Sequence, residues 1–146
     1  WPAGTTLVSI YDSDDVAPVL RYKPDHVLQL AFDDIVPEMA YELCGLAETK
    51  TKTVDEMVAL LENMGFVAFS DEMAKRLASF IAMHLAETKL LVCQCQHGQS
   101  RSAAVAAAVC EVLQAGGSLT YFGDDRYSPN RRVYDKLLEQ LLSQCK

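Results

Sequence analysis

The sequence predicts a single α/β domain, residues 1–146, with a mostly parallel central sheet flanked by helices. Three observations lead there. Apolar runs of strand length alternate with helical stretches along the chain. One such run passes at once into a Gly- and Ser-containing loop and then into an Ala-rich helix, the strand–loop–helix order of α/β units. The 146 residues, half of them hydrophobic, suffice for one core and leave little room for a second.

Taken in order, Thr5 to Tyr11 reads as a short buried strand and Asp12 to Pro24, rich in Asp and Pro, as a loop. His26 to Phe32 is a second apolar run that stops at Asp33-Asp34. From Glu38 to Phe69 the composition is helical, with a break at Thr49 to Thr53 and a segment from Val54 to Met64 that ends at Gly65, which reads as a helical pair inserted at about 38–69. Ser70 is a suitable N-cap, Asp71 and Glu72 suit a first turn, and Met73, Leu77, Phe80, Ile81, Met83 and Leu85 form an apolar stripe, so a helix is expected to about Glu87. Leu90 to Cys95 has strand length, and Ser102 to Gln114 forms a helix ended by Gly116-Gly117. Ser128-Pro129 offers an N-cap and an N1 proline to a closing helix with Val133, Leu137, Leu138 and Leu141 on one face.

A formal net charge of −7 argues against duplex nucleic acid and anionic membrane surfaces as partners. No stretch approaches the roughly 20 apolar residues that span a bilayer, and Trp1-Pro-Ala-Gly lacks the apolar stretch of a signal peptide. The five cysteines, Cys44, Cys93, Cys95, Cys110 and Cys145, lack the dense spacing of a disulfide scaffold, so a reducing, cytoplasmic setting is expected. The sequence does not set the oligomeric state.

The chemistry concentrates in Cys95-Gln96-His97-Gly98-Gln99-Ser100-Arg101-Ser102. A loop between a strand and a helix N-terminus turns backbone N–H groups inward and cradles a phosphate, which makes Gln96, His97, Gly98, Gln99, Ser100 and Arg101 the expected phosphate-binding residues. Arg101 adds a planar fork for two phosphate oxygens, a geometry lysine does not reproduce. The same surroundings lower a thiol's pKa, so Cys95 is expected to be a thiolate near neutral pH that attacks phosphorus in line, while Ser102 donates a hydrogen bond to the sulfur and helps it leave. Gly98 permits a backbone turn that a side chain would obstruct.

This Cys-x5-Arg segment followed by Ser resembles the signature of the protein tyrosine and dual-specificity phosphatases. Ser9-Ile10, Phe32-Asp33-Asp34-Ile35, the Ala74 to Phe80 helix, Ser100 to Ala103, Pro129-Asn130 and Val133-Tyr134 look like the compact bacterial and phage-type predicted tyrosine phosphatases; the insert at about 38–69 falls outside that likeness. The resemblance implies a tyrosine phosphatase-like fold, a phosphorylated protein or peptide substrate, no cofactor and no metal. An aspartate from a separate loop is then the general acid, a role that falls to Asp34, with Asp33 as the alternative. Asn130 is implied to brace the phosphate loop from behind. Where the family has His before the nucleophile this chain has Gln94, whose amide is able to hydrogen-bond the loop backbone. The lack of Lys and Arg between Cys95 and Arg101 favours phosphoprotein over highly charged inositol phosphates.

Other readings compete. Cys93, Cys95 and His97 alternate along a strand in a pattern that invites a metal, but such a strand must bend sharply to converge on one tetrahedral ion. Cys93 reads as a buried small residue, and His26 and His84 as surface or satisfied core groups. Tyr121, Phe122 and Tyr127 suit either packing or a substrate entrance, and Arg131 and Arg132 either phosphopeptide attraction or simple solvation. The main functional alternative is a phosphate-binding pseudophosphatase, favoured by Gln94. Arsenate reduction and sulfur transfer also use a cysteine in an anion-binding loop, but the Arg-Ser ending fits phosphoryl chemistry better.

Overall fold

The computed structural model describes residues 1–45, 49–114 and 116–144; positions 46–48 of the predicted insert and Cys145 lie outside the described residues. Three parallel strands, β1 (Thr5–Tyr11), β2 (His26–Ala31) and β3 (Leu90–Gln94), lie in the order β2-β1-β3. Thr6 pairs with His26 and Tyr11 with Ala31 on one side of β1, and Thr5 pairs with Leu90 and Ser9 with Gln94 on the other. With both edges of β1 paired, its residues Thr5 to Ile10 are all buried, including two threonines and a serine. The chain leaves β1 for a neighbour on one side and returns to the sheet on the other. The loops that follow β1 and β3 therefore part at the carboxyl ends of these strands and leave a crevice, the usual ligand position in an open parallel sheet.

Helices α1 (Pro37–Cys44), α2 (Val54–Asn63), α3 (Asp71–His84), α4 (Arg101–Leu113), α5 (Leu119–Phe122) and α6 (Arg131–Gln144) complete the described fold. A 3-10 turn, Leu85–Glu87, carries α3 to the expected end of that segment. Thr53 and Glu56 close a capping box on α2, Glu56 N–H donating to Thr53 Oγ1 (3.2 Å) and Thr53 N–H to Glu56 Oε1 (3.3 Å). Ser70 Oγ accepts from Met73 N–H at the start of α3, as the sequence predicts. Helix α4 is buried over most of its length, and its alanines let α6 and the sheet approach from different sides. The predicted inserted pair is present as α1 and α2, which enclose a small cluster around Ile35, Ala40, Met57, Val58 and Leu61, separate from the main core of Val8, Leu30, Phe32, Leu77, Val105 and Leu137.

Several boundaries differ from expectation. β2 stops at Ala31 and β3 at Gln94, one residue short of each apolar run. Helix α4 begins at Arg101 and ends at Leu113, because Gln114 is extended and Gly116 turns at φ +78°. Ser128-Pro129 does not cap the last helix: Ser128 N–H donates to Gln99 O (2.8 Å), and α6 begins at Arg131 with Asn130 Oδ1 accepting from Val133 N–H (3.2 Å). Those two residues are used to brace the loop after β3, and the cap passes to the next suitable side chain.

Leu137 on α6 is fully buried where that helix packs on α3 and α4. Leu137→Ala should cost about 2–5 kcal/mol in urea unfolding, whereas Leu142→Ala, 47 % exposed on the same helix, should stay within about 0.5 kcal/mol of wild type.

Candidate functional site

Strand β3 delivers Cys95 to the sheet's carboxyl edge, and residues 95–100 bend back to Arg101 at the first turn of α4. Gly98 turns the loop at φ +69°; nothing lies within 4 Å of the place a Cβ would take, so conformation rather than space favours glycine there. The turn collects donors around the sulfur. Ser102 Oγ lies 3.1 Å from Cys95 Sγ, and the backbone N–H groups of His97, Gly98 and Ser102 bond to the thiol. Partial burial pushes the Cys95 pKa up, but the Ser102 hydroxyl and these three N–H groups together outweigh it and hold the thiol below its ordinary value. The side chains of Gln96, His97 and Gln99 are exposed, so anion binding at these positions falls to the backbone.

Arg101 is 4 % exposed and lies beneath the loop. Its Nη1 donates to Phe32 O (2.7 Å) and sits 2.8 Å from Asp12 Oδ1, while Nε is buried with no partner among the described residues. An unmet buried donor on a charged group costs upwards of about 1–3 kcal/mol, which an anion in the loop would recover by accepting from Nε. Asp12 did not figure among the candidates read from the sequence. Its signal was positional: it is the first residue after β1, and the parallel register, Ser9 opposite Gln94, carries the chain just past β1 alongside the loop that leaves β3.

Asp33 and Asp34 are tied into different segments. Asp33 accepts from Ser13 N–H (3.0 Å), Ser13 Oγ (2.7 Å) and Val67 N–H (2.7 Å), and its own N–H donates to Val67 O (2.8 Å). Burial raises its pKa, but the Val67 and Ser13 bonds, assisted by the Arg101 charge, hold it below the usual value. A carboxylate so held joins the loops after β1 and β2 to the chain before α3 and is a poor proton donor. Asp34 Oδ1 accepts from Ser100 Oγ (2.8 Å) and Asn130 Nδ2 (2.8 Å), which brings the predicted acid against the loop's outer flank.

The thiol opens into a crevice of about 360 Å³ lined by Ser9, Tyr11, Asp12, Gln94, Cys95 and Gln96, at the β1–β3 position the topology favours. A larger cleft, about 890 Å³, lies beside the loop and is lined by Asp34, Gln99, Ser100, Asn130 and Arg132 among others, without Cys95. The structure therefore gathers Cys95, Ser102 and the loop N–H groups, holds the Arg101 guanidinium on Asp12 and Phe32 O, and places Asp34 in the neighbouring cleft rather than in the crevice of the thiol. Gln94 Nε2 donates to Ser9 Oγ on β1 (3.1 Å), across the sheet from the expected loop backbone. Asn130 braces the loop as the resemblance implied, its backbone N–H donating to Ser100 O (3.1 Å). Arg132 donates to Phe69 O (3.0 Å) and Arg131 pairs with Asp135 (3.2 Å), so both have internal partners. Tyr121 and Tyr127 pack together with ring centroids 5.1 Å apart and line a pocket with Cys93, Gly98 and Cys110, behind the loop.

No family model matches the chain, and comparison with curated proteins and with solved structures likewise returns no match.

Because the Ser102 hydroxyl is the strongest single influence lowering the Cys95 pKa, Ser102→Ala should move the pH midpoint of iodoacetamide alkylation at Cys95 upward, toward or past the ordinary thiol value of about 8.5. Read on peptide-mapped protein, an unchanged midpoint would show that Ser102 does not stabilise the thiolate.

Proposed function

We propose that this chain is a cysteine-dependent phosphomonoester hydrolase with a tyrosine phosphatase-like fold, acting on phosphotyrosine, with phosphoserine and phosphothreonine as further substrates. The observation that carries the reading is a pKa-lowered thiol ringed by a hydroxyl and three backbone N–H groups, in a loop that ends at a buried arginine whose Nε has no partner among the described residues. A tetrahedral dianion with equatorial oxygens and an in-line nucleophile matches that set.

In the proposed reaction the Cys95 thiolate attacks phosphorus, the P–O ester bond breaks, and Asp34 gives its proton to the leaving oxygen. Water then attacks the phosphocysteine, the P–S bond breaks, and the water's proton passes to Asp34. Arg101 and the loop N–H groups hold the three equatorial oxygens in both steps, and Ser102 stabilises the departing sulfur. Asp12 occupies Arg101 in the meantime. A phosphate entering the loop takes over the guanidinium and leaves Asp12 free at the mouth of the crevice.

The alternative is a phosphate-reading module with little turnover, and one arrangement favours it: the crevice of Cys95 contains Asp12 but not Asp34. Steady-state hydrolysis of aryl phosphates decides between them. On the leading reading, Cys95→Ser and Arg101→Ala each abolish turnover, vanadate inhibits, and Asp34→Asn slows a substrate with a poor leaving group about 10²–10⁴-fold while sparing a good one. The same leaving-group pattern for Asp12→Asn would transfer the acid role to Asp12. Saturable phosphotyrosine binding that requires Arg101, without hydrolysis above the Cys95→Ser background, would establish the binding module.

A further inference from the structure

We propose that His26, His84 and Glu87 form a binding site for one divalent transition-metal ion of the zinc, nickel or copper(II) type. His26 opens β2, His84 closes α3, and Glu87 sits on the 3-10 turn that follows. Fifty-eight positions apart in the chain, the two imidazoles stack with ring centroids 3.7 Å apart and an interplanar angle of 17°. His26 Nε2 lies 3.0 Å from Glu87 Oε2, and one ligand atom from each of the three residues falls within 4.8 Å of the others.

The dimensions suit an ion. Ligand atoms bound at about 2.0–2.2 Å around a tetrahedral centre stand roughly 3.3–3.5 Å apart, so the set closes when the two rings turn out of their stack and their in-plane lone pairs converge on the ion. Donor chemistry narrows the choice. Two imidazole nitrogens and one carboxylate oxygen suit zinc, nickel and copper(II), whereas magnesium and calcium prefer all-oxygen shells. Three protein donors leave coordination open on the solvent side, where Glu87 is 68 % exposed.

The scaffold holds these residues in place. Thr88 Oγ1 bonds to His84 O (2.7 Å) and to Thr6 Oγ1 on β1 (2.7 Å), locking the turn that carries Glu87 onto the sheet. Phe80 meets His84 edge-on with centroids 5.0 Å apart and fixes that ring from the helix side. The site lies at the amino ends of the strands, whereas Cys95 follows the carboxyl end of β3, so it is independent of the phosphatase reading.

The test uses the full chain with Cys95→Ser, which removes the reactive thiol. Zinc is titrated calorimetrically and cobalt(II) by absorption. One equivalent should bind with micromolar or tighter affinity and give visible d–d bands without the near-ultraviolet thiolate-to-cobalt band. His26→Gln and His84→Gln should each weaken binding roughly tenfold or more, and Glu87→Gln several-fold. Glu87 is exposed, so its substitution leaves folding intact, and zinc should raise the Tm of the parent but raise that of Glu87→Gln less. A thiolate band, affinity unchanged by His84→Gln and Glu87→Gln, or no saturation below millimolar zinc would each overturn the proposal.

Discussion

Asn130 is 3 % exposed and has hydrogen-bond partners at both its side chain and its backbone. Nδ2 donates to Asp34 Oδ1 (2.8 Å) and Ile35 O (3.0 Å), Oδ1 accepts from Val133 N–H (3.2 Å), and the backbone N–H donates to Ser100 O (3.1 Å). One residue thus sets three segments against each other: the loop leaving β2 and the first turn of α6 through its side chain, and the anion loop leaving β3 through its backbone N–H. An aspartate there would lose the donors to Asp34 and Ile35, and an alanine would leave the buried Ile35 carbonyl without this partner at about 1–3 kcal/mol and Asp34 Oδ1 with Ser100 Oγ alone. The position of Asp34 against the loop, and of the loop against the final helix, both depend on this residue.

The electrostatics around the loop are divided. Inside, the N–H groups at the start of α4 and the Arg101 guanidinium supply positive potential. Outside, Asp12, Asp14, Asp33 and Asp34 line one flanking cleft, and neither that lining nor that of the Cys95 crevice includes a lysine or arginine. On the other side of the loop, the cleft by Gln99 and Ser100 carries Arg131, Arg132 and Lys136 together with Asp34, Asp55 and Asp135, so the rim is acidic beside Asp12 and of mixed charge beside Ser100. The Asp12–Arg101 pair answers a related constraint: a buried guanidinium at the start of a helix, where the dipole disfavours a cation, needs an anionic partner.

Local features were readable from the sequence because they are written in adjacent residues. The helical segment that starts at Val54, the Ser70 cap, the strand at Leu90 and the helix after the anion loop all depend on neighbours a few positions apart. The Cys95–Ser102 contact was legible for the same reason, since seven positions of loop and helix separate the pair. Long-range partners were not. Asp12 meets Arg101 because β1 lies beside β3, and Asp33 is occupied by Ser13 and Val67, neither of which advertises that role. The shift of the α6 cap from Ser128 to Asn130 has the same cause: local propensity allowed both, and the bond from Ser128 N–H to Gln99 O decided it.

Cys93 and Cys95 stand two positions apart and differ chiefly in the donors that reach them. Burial acts on both in the same direction. At Cys93, surrounded by strand and helix with the Cys110 and Cys95 thiols nearby, it pushes the pKa up to about 12 and leaves an inert thiol. At Cys95 burial also acts upward, yet the hydroxyl of Ser102 and the N–H groups of His97, Gly98 and Ser102 reverse the balance. Gln94, between the two cysteines, sends its amide to Ser9 and takes no part in that reversal. The thiolate's stabilisation therefore rests on the turn that follows Cys95 and on the first turn of α4. The absence of histidine at position 94 leaves those donors in place, because the backbone that supplies them is fixed by Gly98 and by the closing contacts of Ser128 and Asn130 on Gln99 and Ser100.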